Sequence, residues 1–215
     1  MRIAVFDLDG TITRRDTFIP YLHGWRTRHR YAGFDGLAVK ALLRYLVRRD
    51  RGRLKSELIR AGMGGAARDD VGRWTAEYVA ALGPSEFCAG ALTAITAHRS
   101  AGDRLVLLSA SVDLYVPDIG RRLGFDETIC TEVAWHDDRL HGGLVTENRR
   151  GEEKRRCVEA LRTRHPGTSL IAYGNARSDF PHFAVADAAT LVNAGFQLRR
   201  EAEKRGYRTE EWRGK

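Results

Sequence analysis

The alternation of apolar and polar residues divides the chain into three parts. Residues 2–6 form a short apolar run that is typical of a buried strand. Between residues 17 and 83 apolar residues recur at helical spacing, and the glycine-rich stretch 62–65 interrupts them. This pattern predicts a small bundle of about four helices. From Pro84 onward, helical and strand patterns alternate.

The alternating part predicts a parallel sheet covered by helices on both faces. Its predicted helices span residues 84–102, 112–123 and 152–164, with a short helix near Asp179, and its predicted strands span residues 104–108, 128–133, 169–173 and 190–193. Residues 134–135 and 140–145 are predicted to form a hairpin. The charged tail after Glu201 is expected to fray. Residues 2–6 add another strand to the sheet, so the helical segment is an insertion.

Composition narrows the class of protein. With 215 residues, 43% hydrophobic and 30% charged, the chain suits one domain with a sizeable insertion or two small domains. It has no apolar run long enough to span a bilayer, and its start does not resemble a signal peptide. Cys88, Cys130 and Cys157 follow no disulfide or zinc pattern. We therefore expect a cytoplasmic protein without a membrane partner.

The formal charge of +8 favours an anionic partner. Basic residues are spread along the chain among acidic ones, however, which argues against a dedicated nucleic-acid surface. No nucleic-acid partner is expected, and the sequence leaves the oligomeric state open.

Two carboxylates, Asp7 and Asp9, follow the first strand and precede Gly10 and Thr11. Alternate side chains of an extended segment share a face, so both carboxylates can point at one place. Such a pair can hold a cation, or divide the roles of nucleophile and acid. An ordinary turn is the alternative interpretation.

Polar residues also follow two later predicted strands. Ser109, Ala110 and Ser111 stand before a predicted helix, where a hydroxyl and free backbone N–H groups form an anion site or a simple helix cap. Asn175 and Asp179 follow residues 169–173, and their oxygens suit Mg²⁺ or, alternatively, a local turn.

Lys154 lies in the first turn of its predicted helix, where a cation opposes the helix dipole. This unfavourable placement hints at a function. A solvated lysine beside Arg155 and Arg156 is the alternative.

The order of these four groups is more specific than any one of them. The chain resembles the haloacid dehalogenase superfamily, and the helical insertion is similar to that of its phosphoserine phosphatase branch. The resemblance implies an α/β fold, with a Rossmann-like three-layer core around a central parallel sheet and a helical cap inserted after the first strand. The core would comprise residues 1–15 and 84–215, and the cap residues 16–83.

The resemblance also implies a Mg²⁺-dependent phosphatase that hydrolyses a small phosphomonoester, such as phosphoserine or histidinol phosphate, through an aspartyl phosphate on Asp7. Asp9 would be the general acid and base. The expected metal ligands are Asp7, Asp9, Asn175 and Asp179, and the expected substrate contacts are Ser109, Ala110, Lys154, Asp16 and Lys55. Arg44 and Arg48 are further candidates for a carboxylate or a second phosphate, or belong to a solvated helix face.

Asn175 departs from the branch, which usually has aspartate there as the main metal ligand. An amide oxygen can coordinate Mg²⁺ but brings no charge. A catalytically weak protein that binds a phosphorylated ligand is therefore one alternative, and a phosphotransferase or mutase of the same superfamily is another.

Overall fold

A six-stranded parallel sheet forms the centre of the protein. The computed structural model describes residues 2–29 and 34–214. The strands of the sheet are β1 (Arg2–Phe6), β2 (Arg104–Val112), β3 (Glu127–Thr131), β6 (Ser169–Gly174), β7 (Ala188–Val192) and β8 (Arg208–Glu210). Their spatial order is β3-β2-β1-β6-β7-β8, and every pairing is parallel. β4 (Val133–His136) and β5 (Arg139–Leu144) form a separate hairpin.

Helices cover both faces of the sheet. The core helices are α5 (Ala89–Ser100), α6 (Val116–Leu123), α7 (Glu152–Arg164), α8 (Phe180–Phe183) and α9 (Phe196–Lys204). Ile3 and Val5 pack with Val158 and Leu161 of α7, while Phe6 faces the cluster that includes Ile95 of α5. A strand buried on both faces reads as a continuous apolar run. The expected Rossmann-like α/β fold is confirmed.

The insertion is helical, as predicted. It contains α1 (Phe18–His29), α2 (Phe34–Arg48), α3 (Arg51–Met63) and α4 (Arg68–Ala81). These helices lie inside the predicted cap of residues 16–83, whose boundaries stay a prediction. Among the described residues, no helix is long and apolar enough to cross a membrane.

The β4–β5 hairpin attaches the insertion to the core. Asp137 and Asp138 have φ of 46° and 57°, which is typical of a two-residue turn between strands. Ser56 of α3 donates a hydrogen bond of 2.9 Å to the Gly142 carbonyl, and the Arg68 guanidinium lies 4.2 Å from the ring centroid of Trp135. The predicted hairpin is confirmed.

Two predicted helix starts are wrong. Residues 84–86 form only a short 3₁₀ turn, and α5 begins at Ala89. The strand predicted for residues 104–108 continues to Val112, which pairs with Thr131 beyond an irregularity in the ladder, so α6 begins at Val116 and not at Val112. The segment 109–111 therefore lies at the end of a strand and not at a helix N-terminus.

The prediction that the tail frays is also wrong. β8 pairs with β7, and Trp212 is only 4% exposed. The Trp212 ring lies 5.2 Å from that of Tyr173 and 6.3 Å from that of Phe6, measured between centroids. The tail thus completes the sheet and its apolar core.

Candidate active site

Asp7 and Asp9 are positioned by a tight turn at the carboxyl end of β1. The backbone N–H of Asp7 donates to the Tyr173 carbonyl at 3.0 Å, which continues the pairing of β1 with β6. The Leu8 carbonyl then accepts hydrogen bonds from the N–H groups of Thr11, Ile12 and Thr13. Gly10 has a φ of +80°, a value that L side chains rarely adopt. The turn directs both carboxylates towards one cavity.

Lys154 bridges two buried carboxylates. Its Nζ lies 2.6 Å from Oδ1 of Asp7 and 2.7 Å from Oδ1 of Asp179. The other Asp179 oxygen accepts from the backbone N–H groups of Asn175 and Ala176 at 3.0 and 2.9 Å. The hydroxyl of Thr11 donates to Oδ2 of Asp7 at 3.0 Å. Lys154 is thus a buried, paired cation, and the solvated alternative does not describe it.

Burial and charge act in opposite directions on this cluster. Burial raises the pKa of Asp7 to about 6, against the attraction of Lys154. Burial opposes the charge of Lys154, but the Asp179 and Asp7 carboxylates outweigh it and raise the pKa of the ammonium. Burial also opposes the charge of Asp179, but the attraction of Lys154 and His182 and the hydrogen bonds from Lys154 and Ala176 together outweigh it and lower its pKa. The ammonium therefore stays charged beside the Asp7 carboxylate.

Asp9 is held by three donors. Its Oδ1 accepts from the backbone N–H and the hydroxyl of Thr17, both at 2.7 Å, and its Oδ2 accepts from the Ser111 hydroxyl at 2.6 Å. Burial, followed by the nearby charge of Asp16, raises the pKa of Asp9. A carboxyl group with a raised pKa, fixed beside a second carboxylate, suits proton transfer.

The predicted phosphate contacts on β2 lie at different depths. Ser109 is fully buried, and its Oγ accepts from the Ser111 N–H at 3.0 Å. The Ala110 carbonyl accepts from the Thr131 hydroxyl at 2.8 Å and from Nζ of Lys55. Ala110 lines the cavity, whereas Ser109 does not. The substrate roles of both residues stay predictions.

Lys55 reaches from α3 to the core. Its Nζ also donates to Oδ1 of Asn148 at 2.9 Å. Burial lowers the pKa of Lys55 to about 8, although Asp9 and Asp16 favour its charge. Asp16 is exposed at the cavity, and its Oδ1 accepts from the Ile19 N–H at 3.1 Å at the start of α1. Both residues are in place to meet a substrate, and Asp16 also serves as a helix cap.

Oxygen donors that suit Mg²⁺ lie around Asp7. A Cβ added to Gly10 would lie 2.1 Å from Nδ2 of Asn175, so the amide of Asn175 packs directly against the turn that carries Asp7 and Asp9. Within residues 2–29 and 34–214 no group of three or more His, Cys, Asp or Glu side chains is arranged to hold a metal. A carboxylate, an amide and a backbone carbonyl still fit a hard cation, with less negative charge than a set of carboxylates.

The cavity of about 680 Å³ collects the predicted residues Asp7, Asp9, Asp16, Lys55, Ala110, Lys154, Asn175 and Asp179. Arg44 does not line it and pairs instead with Glu57 at 3.1 Å. The sequence did not single out several further lining residues, which are Arg51, Asn148, Arg150 and Arg213. These come from the insertion, from the loop before α7 or from the tail. Ser111, which the sequence places beside Ser109 and Ala110 in the candidate anion site, also lines the cavity.

Residues 4–184 match the family model of haloacid dehalogenase-like hydrolases. The chain belongs to this family. It is 33% identical to Protein CicA of Caulobacter vibrioides over 187 residues. This match covers 86% of this chain and 83% of CicA. The resemblance inferred from the four motifs is confirmed.

Several solved structures share the fold of this chain. A Bordetella pertussis protein of unknown function superposes with a TM-score of 0.81 at 20% identity, over 97% of each chain. A phosphoserine phosphatase in a phospho-aspartyl intermediate analogue form has a TM-score of 0.67 at 16% identity, and the match covers 100% of this chain and 94% of that one. This chain therefore shares its fold with both structures, one of them a phosphoserine phosphatase.

Proposed function

We propose that this protein is a Mg²⁺-dependent phosphatase of the cytoplasm that hydrolyses a small phosphomonoester through an aspartyl phosphate on Asp7. The observation that carries the proposal is the buried contact between Asp7 and Lys154. Asp9, two residues after Asp7, is a carboxyl group whose pKa is raised. This arrangement supplies a nucleophile, a charge-stabilising cation and an acid within one cavity.

In the first step, an Asp7 oxygen attacks phosphorus and the bond from phosphorus to the ester oxygen breaks. Asp9 gives its proton to that leaving oxygen. Lys154, which already contacts Oδ1 of Asp7, offsets the negative charge of the phosphoryl group as it arrives.

In the second step, Asp9 removes a proton from water, and the water oxygen attacks phosphorus. The bond between Asp7 and phosphorus breaks and inorganic phosphate leaves. Thr17 and Ser111 hold the Asp9 carboxylate in one orientation during both proton transfers.

Mg²⁺ would be held by the Asp7 carboxylate, the Asp9 backbone carbonyl and the Asn175 amide oxygen. Asp179, which contacts Lys154, would add its negative charge to this site. When bound, the ion would shield the nucleophile from the negative charge of the phosphate.

The test is phosphate release from p-nitrophenyl phosphate with Mg²⁺. Asp7→Asn should lower kcat by on the order of a thousandfold, because an amide is a poor nucleophile. Asp137→Asn, in the exposed hairpin turn, should keep wild-type activity. An Asp7→Asn protein that melts normally and retains Mg²⁺-dependent turnover would show that Asp7 is not the nucleophile.

The amide at Asn175 favours a second candidate function, a weakly catalytic protein that binds a phosphorylated ligand. The donor set around Asp7 carries less charge than one with aspartate at this position. Ligand binding without turnover over a panel of phosphorylated metabolites would support this candidate.

A further inference from the structure

A second cavity adjoins the candidate active site. It has a volume of about 800 Å³ and lies between the start of α3 and the loop that joins β5 to α7. Arg51, Asn148 and Arg150 line both this groove and the catalytic cavity. A ligand bound at Asp7 therefore has a continuous route past these residues into the groove.

Arg51 and Arg150 form no ion pair with a carboxylate in the described chain. Most arginines elsewhere in the described chain pair with a carboxylate, as Arg28 does with Glu77 and Arg68 with Asp138. Throughout residues 2–29 and 34–214, neither Arg51 nor Arg150 forms an ion pair or a side-chain hydrogen bond. Burial and the neighbouring charge of Arg51 lower the pKa of Arg150. Asp50 and Glu147 also line the groove, and Asp179 and Asp7 favour the charge of Arg150 from the catalytic cavity, but none of these carboxylates forms an ion pair with either arginine in the described chain. Two adjacent cations that form no ion pair can still attract an anion.

Both arginines stand on well-fixed segments. The backbone N–H of Arg149 donates to the buried Thr131 hydroxyl at 3.1 Å, and Asn148 accepts from Lys55, so the loop that carries Arg150 is tied to the sheet and to the insertion. Arg51 is the first residue of α3, which has no acidic residue in its first turn. The Asp50 carboxylate caps this helix by accepting from the Arg53 N–H at 2.9 Å, and Arg51 adds a cation next to the positive end of the helix dipole.

We propose that the substrate carries a second phosphate group, which Arg51 and Arg150 bind where the catalytic cavity opens into the groove. The inference rests on the proposed phosphatase function. Two guanidinium groups match the double negative charge of a phosphate better than the single charge of a carboxylate. The groove leaves room for a substrate that extends beyond the phosphomonoester at Asp7. Arg51 and Arg150 replace Arg44, which Glu57 neutralises, as the candidates for a second phosphate.

The experiment uses three series of phosphate esters with a linear carbon chain of three to six carbons. The far end of the chain carries a hydroxyl group in the monophosphates, a carboxylate in the second series and a second phosphate in the bisphosphates. At the best chain length, kcat/KM should be at least tenfold higher for the bisphosphate than for the monophosphate. Arg51→Gln and Arg150→Gln should each remove most of that preference, measured as the ratio of kcat/KM for the bisphosphate to kcat/KM for the monophosphate in the same variant. Arg73→Gln, an exposed cap arginine paired with Asp70, should keep the preference.

Equal rates for monophosphate and bisphosphate at every length would overturn the proposal, and so would a preference that survives both substitutions. A carboxylate analogue that performs as well as the bisphosphate would overturn the choice of phosphate. If the wild-type protein releases no phosphate from any compound, the proposed function fails instead. Calorimetric titration with the bisphosphate and the monophosphate then tests the second phosphate site without catalysis. Equal affinities for the two compounds would contradict the second site, and so would a preference for the bisphosphate that Arg150→Gln does not change.

Discussion

Asn175 is the residue at which the site departs furthest from its family's usual chemistry. Its side chain packs against Gly10, and its backbone N–H donates to Asp179, so its position is fixed by both neighbouring loops. Gly174 permits this arrangement, because a Cβ there would lie 2.6 Å from Cγ of Asp179. An aspartate at position 175 would add negative charge to a cluster in which Lys154 pairs with both Asp7 and Asp179.

We predict that Asn175→Asp binds Mg²⁺ more tightly and is less stable without it. The added carboxylate repels Asp7 in metal-free buffer and becomes a charged ligand when the ion is present. Thermal melting should therefore show a lower Tm than wild type in EDTA and a larger upward shift on adding Mg²⁺. An Asn175→Ala variant controls for loss of the amide packing. Identical Mg²⁺ shifts in wild type and Asn175→Asp would place the ion elsewhere.

At the level of elements, α7 was predicted to the residue, from Glu152 to Arg164, because a glycine precedes a clear helical period. The start of α6 was not, because Val112 belongs to a strand only through its pairing with Thr131, a contact between distant segments. The prediction for the tail was wrong because most of its residues are charged, whereas a single residue, Trp212, packs into the core. The local sequence pattern predicts an element correctly when the periodicity of its own residues defines it. The pattern fails when pairing with a distant segment of the chain defines the element.

Helix α3 offers a test of how the insertion contacts the core. Lys55 loses hydration there, and its lowered pKa of about 8 shows that its charge is disfavoured in the folded state. Because the unfolded lysine binds its proton more tightly, the contribution of Lys55 to stability should rise as pH increases from about 8 to about 10.5.

Lys55→Met should abolish that increase and lower kcat/KM for a phosphomonoester by about tenfold, through loss of a cation at the cavity. Urea denaturation at pH 7 and pH 10, with phosphate release at pH 7, measures both effects. Lys40→Met, an exposed change on α2, should alter neither. A Lys55→Met protein with wild-type kcat/KM would show that Lys55 only joins the insertion to Ala110 and Asn148.

Over the whole molecule, the sequence predicted the residues that follow strand ends, because all carboxyl ends of a parallel sheet meet at one edge. Asp7, Asp9, Asn175 and Asp179 therefore lie at one cavity as expected, and Lys154 joins them from the first turn of α7. Three arginines that the sequence did not single out also line the cavity: Arg51 from α3, Arg150 from the loop before α7 and Arg213 from the tail. Their convergence depends on how the insertion and the tail dock, which no local pattern encodes.

The opposite edge of the sheet holds a network that should govern acid stability. Asp103 accepts from the backbone and the guanidinium of Arg2 and from His98, whose other ring nitrogen lies 2.8 Å from the Tyr173 hydroxyl. The network thus joins β1, β6 and the end of α5 just before β2 begins. Burial opposes the charge of Asp103, but the hydrogen bonds from Arg2 and His98 outweigh it and lower its pKa to about 2.

A carboxylate whose pKa is lower in the folded than in the unfolded state stabilises the fold above its unfolded pKa of about 3.9, and this contribution is lost as pH falls towards 2. Asp103→Asn should therefore cost about 2 kcal/mol at pH 7, because Arg2 and His98 lose a charged partner. The difference from wild type should shrink between pH 5 and pH 3. Urea denaturation across that range measures it, with Asp137→Asn as the exposed control. A constant difference across the range would mean that Asp103 acts through packing and not through its charge.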